Sequence, residues 1–173
     1  PLLIFEPMTI DYPMASIRFH KFAIEGMKDI QKQTEKSKAF YFPYVEERKG
    51  VADNLLIELA KDAAVVITDD YPTYFVPQMT ADAKGSIQTT YELVDSNGLL
   101  PIRIADKEYV RAHDFRRFMH KNIEDFLVEV PEANPLEYLN LKFEEKILEP
   151  IFNKYELIDF NNVNVQDFLD NLN

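Results

Sequence analysis

A chain of 173 residues with no cysteine and no tryptophan, 46% hydrophobic and 28% charged, has the make-up of one soluble globular domain. Lack of cysteine excludes disulfides, thiolate nucleophiles and cysteine-held metals. The formal net charge of −11 opposes a duplex-binding surface, which needs Lys and Arg to displace counterions from phosphates. Runs such as Ala63–Ile67 are far short of a bilayer span, and no basic-then-apolar leader opens the sequence. A cytoplasmic address without a membrane partner is expected.

Leu2–Phe5 opens the chain as an unbroken apolar run. A helical pattern follows from Met14 to about Lys36, where Phe19, Phe22, Ala23, Gly26, Met27 and Ile30 recur at i, i+3, i+4. Asp11 and Pro13 stand where its cap and first turn belong. Ala39–Phe42 is a second run, and Ala52, Leu55, Leu56 and Leu59 predict a helix beginning near Val51. Ala63–Thr68 is a third run, followed by a shorter predicted helix from near Phe75 to Gly85 with Pro77 in its first turn. The three unbroken runs fit strands buried on both faces of a parallel sheet. Ile87–Val94 alternates, with Ile87, Thr89, Tyr91 and Leu93 on one side, as a half-exposed strand near a sheet edge does. This alternation of strand and helix predicts right-handed crossovers and an α/β fold, a doubly wound, mostly parallel Rossmann-like sheet.

The style changes after the turn cluster Asp95-Ser96-Asn97-Gly98. Leu99–Ile104 reads as an extended connector, and an amphipathic helix then carries Phe115, Phe118, Met119, Ile123 and Phe126 until Pro131 and Pro135 break it. Arg111, Arg116, Arg117, His120 and Lys121 fall close together and read as a solvated or interdomain face. One or two helical pieces finish the chain, Pro150 starting or interrupting one and Asn164 capping a last turn through Leu172.

In doubly wound sheets, ligands bind beyond the carboxyl ends of the strands. Glu6, Thr9 and Asp11 follow the first run, Asp69, Asp70 and Tyr71 the third, and Asp95, Ser96 and Asn97 the fourth. Tyr12, Tyr74 and Phe75 stand nearby, and an aromatic crevice with a few polar anchors suits a flat conjugated molecule. The same residue types are also ordinary caps and turns. Glu6, Asp69, Asp70, Tyr71, Asp95 and Asn97 are the candidate cofactor-binding residues; in this reading none is a catalyst or metal ligand. The four glycines form no phosphate cradle, the three histidines lack H-E-x-x-H spacing, and no serine sits in a G-x-S-x-G elbow.

Three segments in this order resemble the photolyase/cryptochrome family, over about residues 2–120. The first runs from Phe5-Glu6-Pro7 through Asp11-Tyr12-Pro13 to Arg18, His20, Phe22 and Gly26-Met27. The second is Val65-Val66-Ile67-Thr68-Asp69-Asp70-Tyr71-Pro72. The third is Val94-Asp95-Ser96-Asn97-Gly98-Leu99-Leu100-Pro101, with Tyr109 and Ala112 to Phe118. The resemblance implies a parent flavoprotein, a carbon–carbon lyase that repairs pyrimidine dimers in DNA with light absorbed by FAD and an antenna pigment. This chain would be its N-terminal α/β, antenna-side domain, inert alone, with folate or deazaflavin in the crevice. FAD and DNA would be held by a missing helical domain.

The family's α/β domain opens with a further strand and helix and places that first strand centrally, in an order such as 3-2-1-4-5. This chain opens at the counterpart of the second strand, as if cut from something larger. The first and third runs are then expected to pair directly, or another chain to fill the gap. Residues 1–105 are expected to form the antenna-type domain and 106–173 a helical extension toward the FAD domain. Two other classes fit the residues. One is a receiver-type signalling domain, with Asp69, Asp70 and Asp95 around Mg²⁺, although Asn97 and Gly98 stand where such a domain has a lysine. The other is a ligand-free interaction domain docking through Phe115–Phe126, a stripe that also favours self-association.

Overall fold

A computed structural model describes residues 1–10, 16–46, 50–128, 130–160 and 165–171. Among them, in chain order, lie β1 (Leu3–Thr9), α1 (Ile17–Thr34), β2 (Phe40–Glu46), α2 (Leu55–Ala60), β3 (Val65–Asp69), α3 (Val76–Ser86), β4 (Thr90–Val94), α4 (Ala112–Asn122), α5 (Glu149–Phe152) and α6 (Val165–Asn171). β1 pairs with β2 in parallel, from Leu3 opposite Phe40 to Thr9 opposite Glu46. β3 pairs with β4 in parallel, from Val65 opposite Thr90 to Asp69 opposite Val94. The chain is therefore mixed α/β with short parallel sheets, compatible with a Rossmann-like domain. The direct pairing expected of the first and third runs does not form among the described residues. Each strand instead pairs with the partner its own crossover helix delivers. Among the described residues no helix is long and apolar enough to cross a membrane.

Two compact units result, Pro1–Leu55 with Asn134–Asn173, and Leu56–Ala133. In the first, β2 is covered on both faces, because successive side chains point to opposite sides. Tyr41 and Val45 join Ile24 and Met27 of α1, with Phe160 and Leu169, in one core cluster. Phe40, Phe42 and Tyr44 point the other way, against Phe143, Phe152 and Tyr155 of the C-terminal segment. Pro7 and Pro43 sit within β1 and β2; a strand pair tolerates a missing N–H because each strand keeps an edge outside the ladder. Gly50 takes φ 89°, a left-handed turn in which its N–H and that of Ala52 both reach the Glu46 carboxylate, at 2.8 and 3.2 Å.

Several local expectations are corrected. The N-cap of α1 is Ser16, whose hydroxyl accepts the Phe19 N–H at 3.4 Å; Asp11, Tyr12, Pro13 and Asn164 lie outside the described residues. The stripe α1 buries is His20, Ile24 and Met27, while Phe19 and Phe22 are 63% and 79% exposed. The two stripes lie roughly a third of a turn apart. Both are apolar, so packing by β2 and α6 decides which is covered. The helix expected from Val51 forms only over Leu55–Ala60. Burial on both faces holds for β2 but not for β1 or β3: Ile67 is 60% exposed and Val65 is also exposed. A strand in a two-stranded sheet is shielded by one neighbour only, and among the described residues no aromatic layer comparable to that over β2 backs β3.

Candidate functional site

The carboxyl ends of β3 and β4 are tied together by side chains. The Asp70 N–H donates to the Val94 carbonyl at 2.8 Å, extending the ladder one residue. Ser96 donates its hydroxyl to Asp69 at 2.5 Å, and the Asn97 amide donates to the Asp70 carbonyl at 2.8 Å and to the Asp95 carboxylate at 3.0 Å. Asp95 also accepts the Asn97 and Ile102 N–H groups, at 3.2 and 2.6 Å. Arg103, from the short helical turn Ile102–Ile104, forks onto both oxygens of Asp70, its Nη2 at 2.6 Å. The Asp70 side chain is 13% exposed, so this pair is one-sided: a covered carboxylate capped by a solvated guanidinium.

Hydrogen bonds from Arg103 hold the Asp70 carboxyl below the ordinary carboxylate value of 3.8, and the Asn97 and Ile102 donors do the same for Asp95. Lowered folded values mean that this clasp contributes fully above pH 3.8 and is lost as the pH falls through the folded values. Acidification below that point is therefore expected to release residues 98–104 before the unit unfolds, seen as loss of hydrogen-exchange protection at the Ile102 amide. Unchanged protection down to global unfolding would refute the clasp.

The clasped segment walls an apolar hollow of about 390 Å³, lined by Gly98–Ile102, Ala105, and Phe115, Phe118, Met119 and Ile123. Tyr109 rests on both rings of α4, its centroid 5.6 Å from Phe115 and 5.1 Å from Phe118. Asp69, Asp70, Asp95 and Asn97 are thus brought together, but as the frame of the wall; the lining comes from the connector and α4. The Phe115/Phe118/Met119/Ile123 stripe was legible in the sequence, but nothing local showed that Leu99–Ile102 would fold over it.

Two candidates stand apart. Tyr71 is exposed on the loop after β3. In that loop Tyr74 adopts φ 59° while 82% exposed, a left-handed backbone that costs a residue with a Cβ about 1 kcal/mol. Tyr74→Asn is expected to raise the stability of its unit by about 0.5–1 kcal/mol in chemical denaturation, since Asn tolerates this region. Glu6 belongs to the other unit and, contrary to its expected place beyond the first strand, lies inside β1, which pairs with β2 as far as Thr9. Its carboxylate accepts the Tyr41 hydroxyl. Burial, with Glu6 alongside, pushes the Tyr41 phenol well above its usual range.

In the unit Leu56–Ala133 a polar strand-end clasp thus frames an apolar hollow. No family model matches the chain. It is similar to the deoxyribodipyrimidine photo-lyase of Methanothermobacter thermautotrophicus, 28% identical over 151 residues. The match covers 87% of this chain and 32% of that protein, so the chain spans about a third of its curated relative.

Proposed function

We propose that this chain is the α/β, antenna-side part of a photolyase-like flavoprotein that repairs pyrimidine dimers in DNA with light. The observation that carries the reading is the likeness to a photolyase along most of the chain. The strand pairing supports it: β2 with β1 and β3 with β4 are the neighbours that an order 3-2-1-4-5 requires on either side of its first strand. In this reading residues 1–105 form the antenna-type domain, 106–173 lead toward a helical domain elsewhere in the protein, and the protein works in the cytoplasm.

The residues fit an antenna pigment in part. A flat conjugated ring suits a hollow faced by Phe115 and Phe118, whereas the anionic tail of a folate would have to leave it, since the lining carries no cation. Asp69, Asp70, Asp95 and Asn97 serve such a crevice by holding its wall, and Tyr71 offers an exposed ring. FAD does not fit here, for the four glycines make no phosphate cradle, and it is assigned to the helical domain. The receiver reading loses support, because Asp70 and Asp95 already spend their oxygens on Arg103, Ile102 and Asn97. Self-association of the isolated chain through the Phe115–Phe126 stripe, in which Phe115 and Phe126 are exposed, remains part of the reading.

The test is made on the longer protein that contains this chain. Purified in the dark, it is expected to show flavin absorption and light-dependent repair of dimer-containing DNA. A colourless protein without repair overturns the proposal.

A further inference from the structure

We propose that the outer face of α4 binds the phosphate backbone of nucleic acid, in addition to any contact made by a helical domain. The choice of DNA as the polyanion rests on the repair reading above; the cationic face itself does not. His113, Arg116, Arg117, His120 and Lys121 recur at three- and four-residue spacing and so share one side of the helix. All five are exposed. The opposite side, Phe115, Phe118 and Met119, lines the hollow, so packing already fixes the direction in which the cations project.

Cations predominate along α4, with the carboxylates of Glu124 and Asp125 just beyond its end. The span 111–121 holds Arg111, Arg116, Arg117 and Lys121 against the single carboxylate of Asp114, which lies 3.6 Å from His113. Among the described residues none of those four cations has an ion-pair partner. In a chain with 30 acidic and 19 basic residues, such a cluster runs against the overall charge. From His113 to Lys121 the face is about 12 Å long at 1.5 Å per residue. With phosphates about 3.4 Å apart along each strand axis, it meets roughly three of them. Adjacent guanidinium forks on Arg116 and Arg117 match phosphate oxygens. An anionic membrane is the poorer fit, because a membrane-bound amphipathic helix inserts its apolar side, and here that side is spent on the hollow.

The full chain is titrated into fluorescein-labelled, undamaged duplex DNA in the dark, by anisotropy, at 50 and 200 mM NaCl. Weak binding that falls with salt is expected. Arg116→Glu with Arg117→Glu should weaken it at least about tenfold and lower the salt slope by about 2, with the circular dichroism unchanged. Lys61→Glu with Lys84→Glu makes the same change in net charge at exposed positions elsewhere in the unit and should have little effect. No binding at 50 mM, equal loss in both double variants, or binding to phosphatidylserine vesicles but not to DNA would each overturn the inference. Charge-dependent binding by the chain with no repair by the longer protein would sink the repair reading and leave α4 as a nucleic-acid contact. Repair with no effect of the α4 changes on DNA binding would do the reverse.

Discussion

Phe42→Ala lowers the unfolding free energy of the unit formed by Pro1–Leu55 and Asn134–Asn173 by about 4 kcal/mol, the range for emptying a fully buried aromatic site. Phe42 is 0% exposed and stands at the middle of β2. Its ring meets Phe5 of β1 edge-on at 5.8 Å and stacks on Phe152 of α5 at 6.0 Å, so strand pair and C-terminal segment lose contacts together. The strands cannot close the gap cheaply, because their ladder fixes the spacing between Phe5 and Phe42. Urea denaturation followed by far-ultraviolet circular dichroism measures the change. A loss below about 1 kcal/mol would mean that the aromatic layer over β2 does not form as described.

Phe160→Ala is expected to cost a comparable amount, about 3–4 kcal/mol, although it lies more than a hundred residues from the strands it helps cover. Phe160 is 1% exposed and packs in one cluster with Ile24 and Met27 of α1, Tyr41 and Val45 of β2, and Leu169 of α6. Its removal should loosen α1 as well as the C-terminal segment, so hydrogen exchange should rise at the amides of Ile24 and Met27. Exchange confined to residues near 160 would show that the C-terminal segment is an appendage rather than part of this core. The result bears on domain limits, since it asks whether the last forty residues belong energetically with the first fifty-five.

Strand and helix order was legible without coordinates. Apolar runs of four to six residues, helical spacing between them, and Pro77 and Pro150 at helix starts placed most elements within a few residues. The clasp was legible as positions: Asp69, Asp70, Asp95 and Asn97 follow strands, where turn-forming polar residues gather. Their partner Arg103 was not, because an ion pair with Asp70 across 33 residues leaves no local pattern. The same limit hid the identity of the covered stripe of α1. Phe19 and Phe22 look as core-like in sequence as Ile24 and Met27, and only the positions of β2 and α6 choose between them.

By itself the sequence determined the mixed α/β class, the absence of cysteine chemistry, the cations gathered at 111–121 and the acidic ends of β3 and β4, since each follows from composition or from a period of two to four residues. Tertiary structure alone decided that β1 joins β2 and β3 joins β4, that Asp70 and Asp95 brace a wall, and that α4 turns its rings inward and its arginines out. Burial and ion pairing depend on what arrives from distant parts of the chain, and a local pattern carries no record of its future neighbours.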